Sequence, residues 1–214
     1  MTIAAGNRHE LRRLIEQRLQ DSRPPTDPHS AIPAGFSAEV DAAVRQYFPA
    51  APVAAAVLVP IVDRDDGMTV LLTQRASHLK NHAGQISFPG GRIEGSDAGP
   101  LAAALRETEE EIGLSREHVT FAGYLEPHLV LTGFWVTPVV GFVQPGFELQ
   151  LDRSEVESTF EVPLLHILDA ANHQSRERLL GTTKVLVYDI PYGEHRIWGA
   201  TAGMLMSLYR LLRE

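Results

Sequence analysis

The chain has 214 residues, with 19 Lys plus Arg against 27 Asp plus Glu, a formal net charge of −8 and no cysteine. These figures exclude a disulfide framework, a thiolate zinc site and a cysteine nucleophile, and so acidic a chain is a poor generic partner for nucleic acid, whose phosphates attract positive surfaces. At 44% hydrophobic and 21% charged it can bury an ordinary core as one decorated domain or two small ones, but no apolar run nears the roughly 18 residues that span a bilayer.

Taken in chain order, Met1–Asn7 lacks the charged start and apolar stretch of a secretory signal, and Glu10 and Glu16 among the arginines argue against a transit peptide. Asn7 with Glu10 makes a capping-box-like helix start, and Leu11, Leu14, Ile15 and Leu19 form a stripe at helical spacing that reads as a docking face. Pro24, Pro25, Pro28 and Pro33 mark an extended link, and a short helix is expected after Ser37 with Val40, Val44 and Tyr47 on one side. The division expected is an N-terminal helical extension and Pro-rich linker over residues 1–50 and a main domain over 51–214.

Val53–Val62 reads as a buried strand, Asp63–Gly67 as a turn and Thr69–Arg75 as a strand pairing back. The segment His78–Ser87 is polar and loop-like, and Pro100–Ile112 reads as a helix. Further strands are expected at Val119–Leu125, Trp135–Val143 and Lys184–Ile190, before a closing helix over Ala200–Arg213. No strand–GxGxxG–helix unit occurs, so the pattern favours α+β, a mixed sheet between helices in an α/β/α sandwich, over a doubly wound layout.

The helix at 100–112 carries the chemistry. Leu101, Leu105, Thr108 and Ile112 share one face, expected to be buried, whereas Glu107, Glu110 and Glu111 at i, i+3 and i+4 share another. Like charges so placed destabilise a helix and, near its C-terminus, oppose the helix dipole. A hard divalent cation, Mg²⁺ or Mn²⁺, would compensate them with oxygen ligands. Arg106 is positioned to tether a carboxylate, and Gly113 fits a C-cap. Upstream, Phe88-Pro89-Gly90-Gly91 is a tight turn that lets backbone approach a ligand, and Asp97 and Pro100 are expected to open the helix.

This stretch resembles the Nudix box, G-x5-E-x7-R-E-U-x-E-E-x-G-U with U bulky and apolar. Gly91, Arg106, Glu107, Glu110, Glu111, Gly113 and Leu114 match. The first acidic position falls on Asp97, the spacing to Arg106 is one residue longer, and the U after Glu107 is Thr108. Upstream, Leu71-Leu72-Thr73-Gln74-Arg75 through His78, Lys80, His82 and Gly84 to Phe88-Pro89-Gly90-Gly91 resembles the second motif of the coenzyme A pyrophosphatase branch, in which the longer box is also typical. Similarity continues at Thr132–Gly141, Phe160–Leu164 and Arg196–Ala202, so it covers Val53 to the C-terminus.

The resemblance implies metal-dependent hydrolysis of the diphosphate of coenzyme A or its derivatives, giving 3′,5′-ADP and 4′-phosphopantetheine or its acyl form. It places Mg²⁺ or Mn²⁺ on Glu107, Glu110 and Glu111, with a backbone carbonyl at Gly90 or Gly91. Arg75, His78, Lys80 and His82 are candidates for phosphate contact, and the general base is either a glutamate of the cluster or an acid from Glu155, Glu157 or Glu161 folding over the site. Trp135 and Trp198 are expected in the core rather than on adenine. Another nucleoside diphosphate derivative (ADP-ribose, NADH, a diadenosine polyphosphate) and a non-catalytic nucleotide-binding module are the alternatives. The expected partner is a small nucleotide, with neither nucleic acid nor membrane, in the cytoplasm. The N-terminal helices either dock on the core, cover the site or build a homodimer. From Arg92 to Glu117 seven acids face three bases, so half of the net −8 sits around the proposed site.

Overall fold

The run Val53–Arg64 is apolar on both faces, which suits a strand buried between two layers. The computed structural model describes residues 8–27, 31–37, 44, 46–48 and 50–213. Its elements open with α1 (Arg8–Leu19), β1 (Ile32–Pro33), β2 (Val53–Arg64), β3 (Gly67–Arg75), β4 (Ile86–Ser87) and β5 (Gly90–Arg92). There follow α2 (Pro100–Ile112), β6 (Val119–Tyr124), β7 (His128–Leu129), β8 (Phe134–Val143), β9 (Val156–Pro163) and α3 (Leu164–Leu168). The chain closes with β10 (Gln174–Leu180), β11 (Thr183–Tyr192), β12 (His195–Trp198) and α4 (Gly199–Arg213). Asn7 and most of the short helix expected after Ser37 lie outside the described residues.

The main sheet has nine strands in the order β1-β7-β8-β2-β3-β4, with β5 added to β2, β6 to β8 and β9 to β3. The β2–β8 and β1–β7 pairs are parallel and the remainder antiparallel, so the sheet is mixed. Strand β2 runs on through Arg64, and the turn expected over Asp63–Gly67 shortens to Asp65-Asp66, with Arg64 opposite Gly67. The stretch Val156–Pro163, which carries the general-base candidates Glu157 and Glu161, is a strand in register with β3. A second sheet, β10-β11-β12, packs beside the first.

Alternation along the strands sorts the core into two layers. Ala56, Leu58 and Val62 of β2 and Leu71 of β3 meet Ala103, Ala104 and Ile112 of α2. On the opposite face Val59, Ile61, Val70 and Leu72 meet Ile15 and Leu19 of α1 and Leu205 and Leu208 of α4. The fold is thus an α/β/α sandwich of the α+β class. Ile15 and Leu19 are 0% and 2% exposed, and burying each contributes roughly 1.5–3 kcal/mol. Arg12 pairs with Asp63 at 3.2 Å and Arg8 with Asp65 at 3.0 Å. Such solvent-facing pairs contribute at most about 1 kcal/mol each, so apolar burial dominates the docking of α1.

Candidate active site

The helix α2 begins and ends on glycine. Gly99, at φ 137°, is its N-cap with Pro100 next, so the opening lies two residues beyond Asp97. Gly113 closes it in the left-handed region at φ 70°, donating its N–H to the Glu109 carbonyl. The buried face differs from the expected stripe. Ala103, Ala104, Thr108, Glu111 and Ile112 are buried, whereas Leu101 and Leu105 are only half-buried. Small alanines let the helix approach the sheet, and this rotation carries Glu111 inward. Thr108 fits an apolar position because its hydroxyl donates to the Ala104 carbonyl at 2.6 Å.

The three glutamates therefore occupy different environments. Glu111 is 5% exposed, while the Glu107 and Glu110 side chains are 19% and 60% exposed. One oxygen of Glu111 accepts the Gly90 N–H at 3.0 Å, and the other lies 4.0 Å from Arg75 Nη1. Burial pushes the Glu111 carboxyl up to about 7, against the Gly90 N–H and Arg75 and with help from nearby Glu155 and Glu107. Burial also raises the Glu107 carboxyl, which Arg106 opposes.

The Gly90-Gly91 pair makes this approach possible. A side chain on Gly90, at φ 146°, would strike the Ala56 carbonyl of β2 at 2.3 Å. One on Gly91 would lie 2.5 Å from the Glu107 carboxylate. The turn thus sits between the central strand and the catalytic-helix candidate with no room for a methyl group.

Arg106 gathers more than the single carboxylate expected. Its Nε and Nη2 reach the two Asp97 oxygens at 3.1 and 3.0 Å, and Nη1 reaches Glu107 at 2.9 Å and Glu110 at 3.0 Å. A further bond goes to the Arg92 carbonyl. The Arg106 guanidinium, followed by the Glu94 N–H, holds the Asp97 carboxyl below the usual range, and the same contacts raise Arg106. Asp97 therefore ties the preceding loop to the helix, the place where the box is one residue longer.

The polar segment after β3 starts from Arg75, whose guanidinium lies beside Glu111. Its neck is closed by Arg75 N–H to the Gln85 carbonyl at 2.9 Å and Gly84 N–H to the Arg75 carbonyl at 3.1 Å. Ala76 N–H donates to the Glu155 carbonyl, and Ser77 N–H to the Glu157 carboxylate at 3.2 Å. His78 and Lys80 are exposed, and His82 is half-buried at φ 57°, its Nδ1 2.8 Å from Gln85 Oε1. Arg75 Nε is buried without a hydrogen-bond partner among the described residues. Glu155 is exposed and close enough to influence both Glu107 and Glu111.

Glu161 is not brought there. Opposite Leu71, midway along β3, it is held by Arg64, with Nε at 2.8 Å, and by Thr69, and Arg64 lowers its carboxyl. Trp135 and Trp198 are half-buried, not enclosed in the core. The sequence reading missed the segment after β8. Gln150 and Asp152 N–H groups cap the Ile112 and Glu111 carbonyls at 2.9 Å each, and Asp152 accepts from Ser154 in an Asx-type turn. The Asp152-Arg153-Ser154 triplet was the available signal.

Among the described residues no three Asp, Glu or His side chains converge as a ready-made metal cage. Arg106 draws Glu107 and Glu110 aside, while Glu111 turns to Gly90. The donor set nonetheless fits a hard cation. It is all oxygen, and among the described residues the buried Glu111 charge is met by one N–H and a guanidinium 4.0 Å away.

A family profile described as the NUDIX domain matches residues 52–180. The chain belongs to this family. The Nudix hydrolase NudL of Escherichia coli (strain K12), described as uncharacterized, is 40% identical over 154 residues, spanning 72% of this chain and 80% of that protein. NudL of Salmonella paratyphi B has the same identity and coverage. Among solved structures, the Nudix hydrolase RenU of M. Smegmatis superposes with a TM-score of 0.53 at 18% identity, over 76% of this chain and 86% of that one. That likeness shows the Nudix fold. The chain is a Nudix hydrolase whose box is the loop and helix from Gly91 to Leu114.

Proposed function

We propose that this Nudix hydrolase, a domain over 51–214 with an extension over 1–50, cleaves the diphosphate of coenzyme A or a derivative. The products are 3′,5′-ADP and 4′-phosphopantetheine or its acyl form. One observation carries the reading: the buried Glu111 of the box lies 4.0 Å from Arg75 of the upstream motif that resembles the coenzyme A branch. The two motifs thus converge on one place.

Glu107, Glu110 and Glu111 would hold Mg²⁺ or Mn²⁺, with a carbonyl of Gly90 or Gly91 beside them. Such an ion, when bound, neutralises diphosphate oxygens and lowers the pKa of water. The remaining roles fall to the chain. Arg75, with an unpaired Nε, binds a phosphate oxygen. His78, Lys80 and His82 extend that anion contact along the loop. Arg106, anchored by Asp97, positions Glu107 and Glu110. Glu155, beside both Glu107 and Glu111, accepts the proton of the attacking water, and Glu157 is the next candidate. An O–P bond forms from water as the bridging P–O bond breaks, and the leaving phosphate carries away the electron pair. Glu161, occupied by Arg64, is the weakest candidate for the base.

Among the described residues no helix is long and apolar enough to cross a membrane, and we infer action on a small nucleotide in the cytoplasm. The test is Glu111→Gln. With coenzyme A and Mg²⁺ or Mn²⁺, the variant should lose nearly all hydrolysis while remaining folded. Activity within a few-fold of wild type would refute the assignment.

A further inference from the structure

The second sheet carries a cluster that the hydrolytic site does not use. On one face, Gln174, Arg176 and Arg178 of β10 stand opposite Asp189, Val187 and Val185 of β11, and Trp198 of β12 stands opposite Asp189. Asp189 is 0% exposed. Its Oδ2 accepts a hydrogen bond from Arg196 Nε and forms an ion pair with Arg176 Nε, each at 2.6 Å. Its Oδ1 is equally buried and has no hydrogen-bond partner among the described residues. Arg178 is exposed, and its guanidinium lies 4.6 Å from the centre of the Trp198 ring, with that of Arg196 at 5.7 Å.

Three features need explanation together. First, two guanidiniums pair with one carboxylate and a third lies over Trp198, leaving an excess of about two positive charges in this cluster on a protein of net charge −8. Second, both ion pairs fall on the same oxygen, so the other, fully buried, calls for a donor; an unmet buried acceptor is costly. Third, Trp198 is half-buried outside both apolar cores, with Arg178 and Arg196 over its ring, so an aromatic plane and cations share one place. An anion, a hydrogen-bond donor and an aromatic plane in one molecule describe a phosphorylated nucleoside.

We propose that Arg176, Arg178 and Arg196, set around Trp198 and Asp189 on the second sheet, form a further binding site for a nucleoside monophosphate group. The arginines take the phosphate, Trp198 the base, and Asp189 Oδ1 an N–H or O–H of the ligand or of a water that it orders. The helix that follows Trp198 is tied to the segment leading into the box. Two residues past Gly199, Thr201 donates to the Ile86 carbonyl at 2.9 Å, and Ile86 leads directly to Gly90-Gly91. The site does not depend on what the box hydrolyses.

The test is calorimetric titration of the full-length protein with AMP in EDTA, where metal-free carboxylates repel anions from the hydrolytic centre. Wild type and Glu111→Gln should bind one AMP with equal affinity, and adenosine should bind far more weakly. Arg178→Glu should weaken AMP binding at least about tenfold, the scale of one lost charge-assisted contact. Arg178→Gln should weaken it in the same direction and serves should the reversed charge disturb folding. Retained hydrolysis in the Arg178 variants would show an intact fold. No saturable binding to wild type, or equal affinity in both Arg178 variants, would overturn the proposal.

Discussion

The buried carboxylate of Glu111 sets a measurable dependence of stability on pH. Its folded pKa, about 7, lies above the ordinary 4.5, so between these values the folded protein holds a proton that the unfolded chain has lost. Stability from this group is therefore fully present below about 4.5 and falls as the pH rises through about 7. At about 1.4 kcal/mol per pH unit, the ionised carboxylate costs about 3 kcal/mol above pH 8 in metal-free protein. Glu111→Gln removes the charge and keeps an oxygen for the Gly90 N–H. In EDTA the variant and wild type should thus melt together near pH 5. At pH 8 the variant should melt higher, by roughly 6–12 °C at about 2–4 °C per kcal/mol. Comparing the two proteins at each pH cancels other titrating groups. Differential scanning calorimetry at both pH values decides the matter. A difference in Tm that is the same at pH 5 and pH 8, or a variant less stable at pH 8, would refute the reasoning.

Two further substitutions probe how the carboxylates are placed. Gly91→Ala puts a methyl group 2.5 Å from the Glu107 carboxylate; displacing that side chain should lower kcat by about 100-fold with little change in Tm, and full activity would contradict the crowding. Arg106→Gln leaves Asp97, Glu107 and Glu110 without their shared guanidinium and should cost about 3 kcal/mol by urea denaturation. An unchanged midpoint would mean that Arg106 holds nothing together.

What the sequence revealed depended on punctuation. The bounds of α2 are legible because proline and glycine mark its ends, and β2 and β3 because their apolar runs are long. The strand β10 was not legible. Its residues from Gln174 to Leu179 are all exposed, so it has no alternation to read, and only the register with β11 makes it a strand. Likewise β9 hid behind the acids Glu157 and Glu161, one bound to the Ser77 N–H and the other paired with Arg64. The composition of the box and the motif upstream were visible as resemblance. The burial of Glu111 was not, because it follows from packing at Ala103 and Ala104, which rotates the helix. Nor was the Asp189 cluster, whose members meet only through pairing across three strands.

The central claim is most directly tested by hydrolysis of a substrate panel with Mg²⁺ or Mn²⁺ and identification of the products. Coenzyme A, acyl derivatives, ADP-ribose, NADH and a diadenosine polyphosphate should be compared by kcat/KM. Highest efficiency on coenzyme A or an acyl derivative, with release of 3′,5′-ADP and the matching phosphopantetheine, is the expected result. A clear preference for ADP-ribose, NADH or the diadenosine compound, or no metal-dependent hydrolysis of any of them, would contradict it.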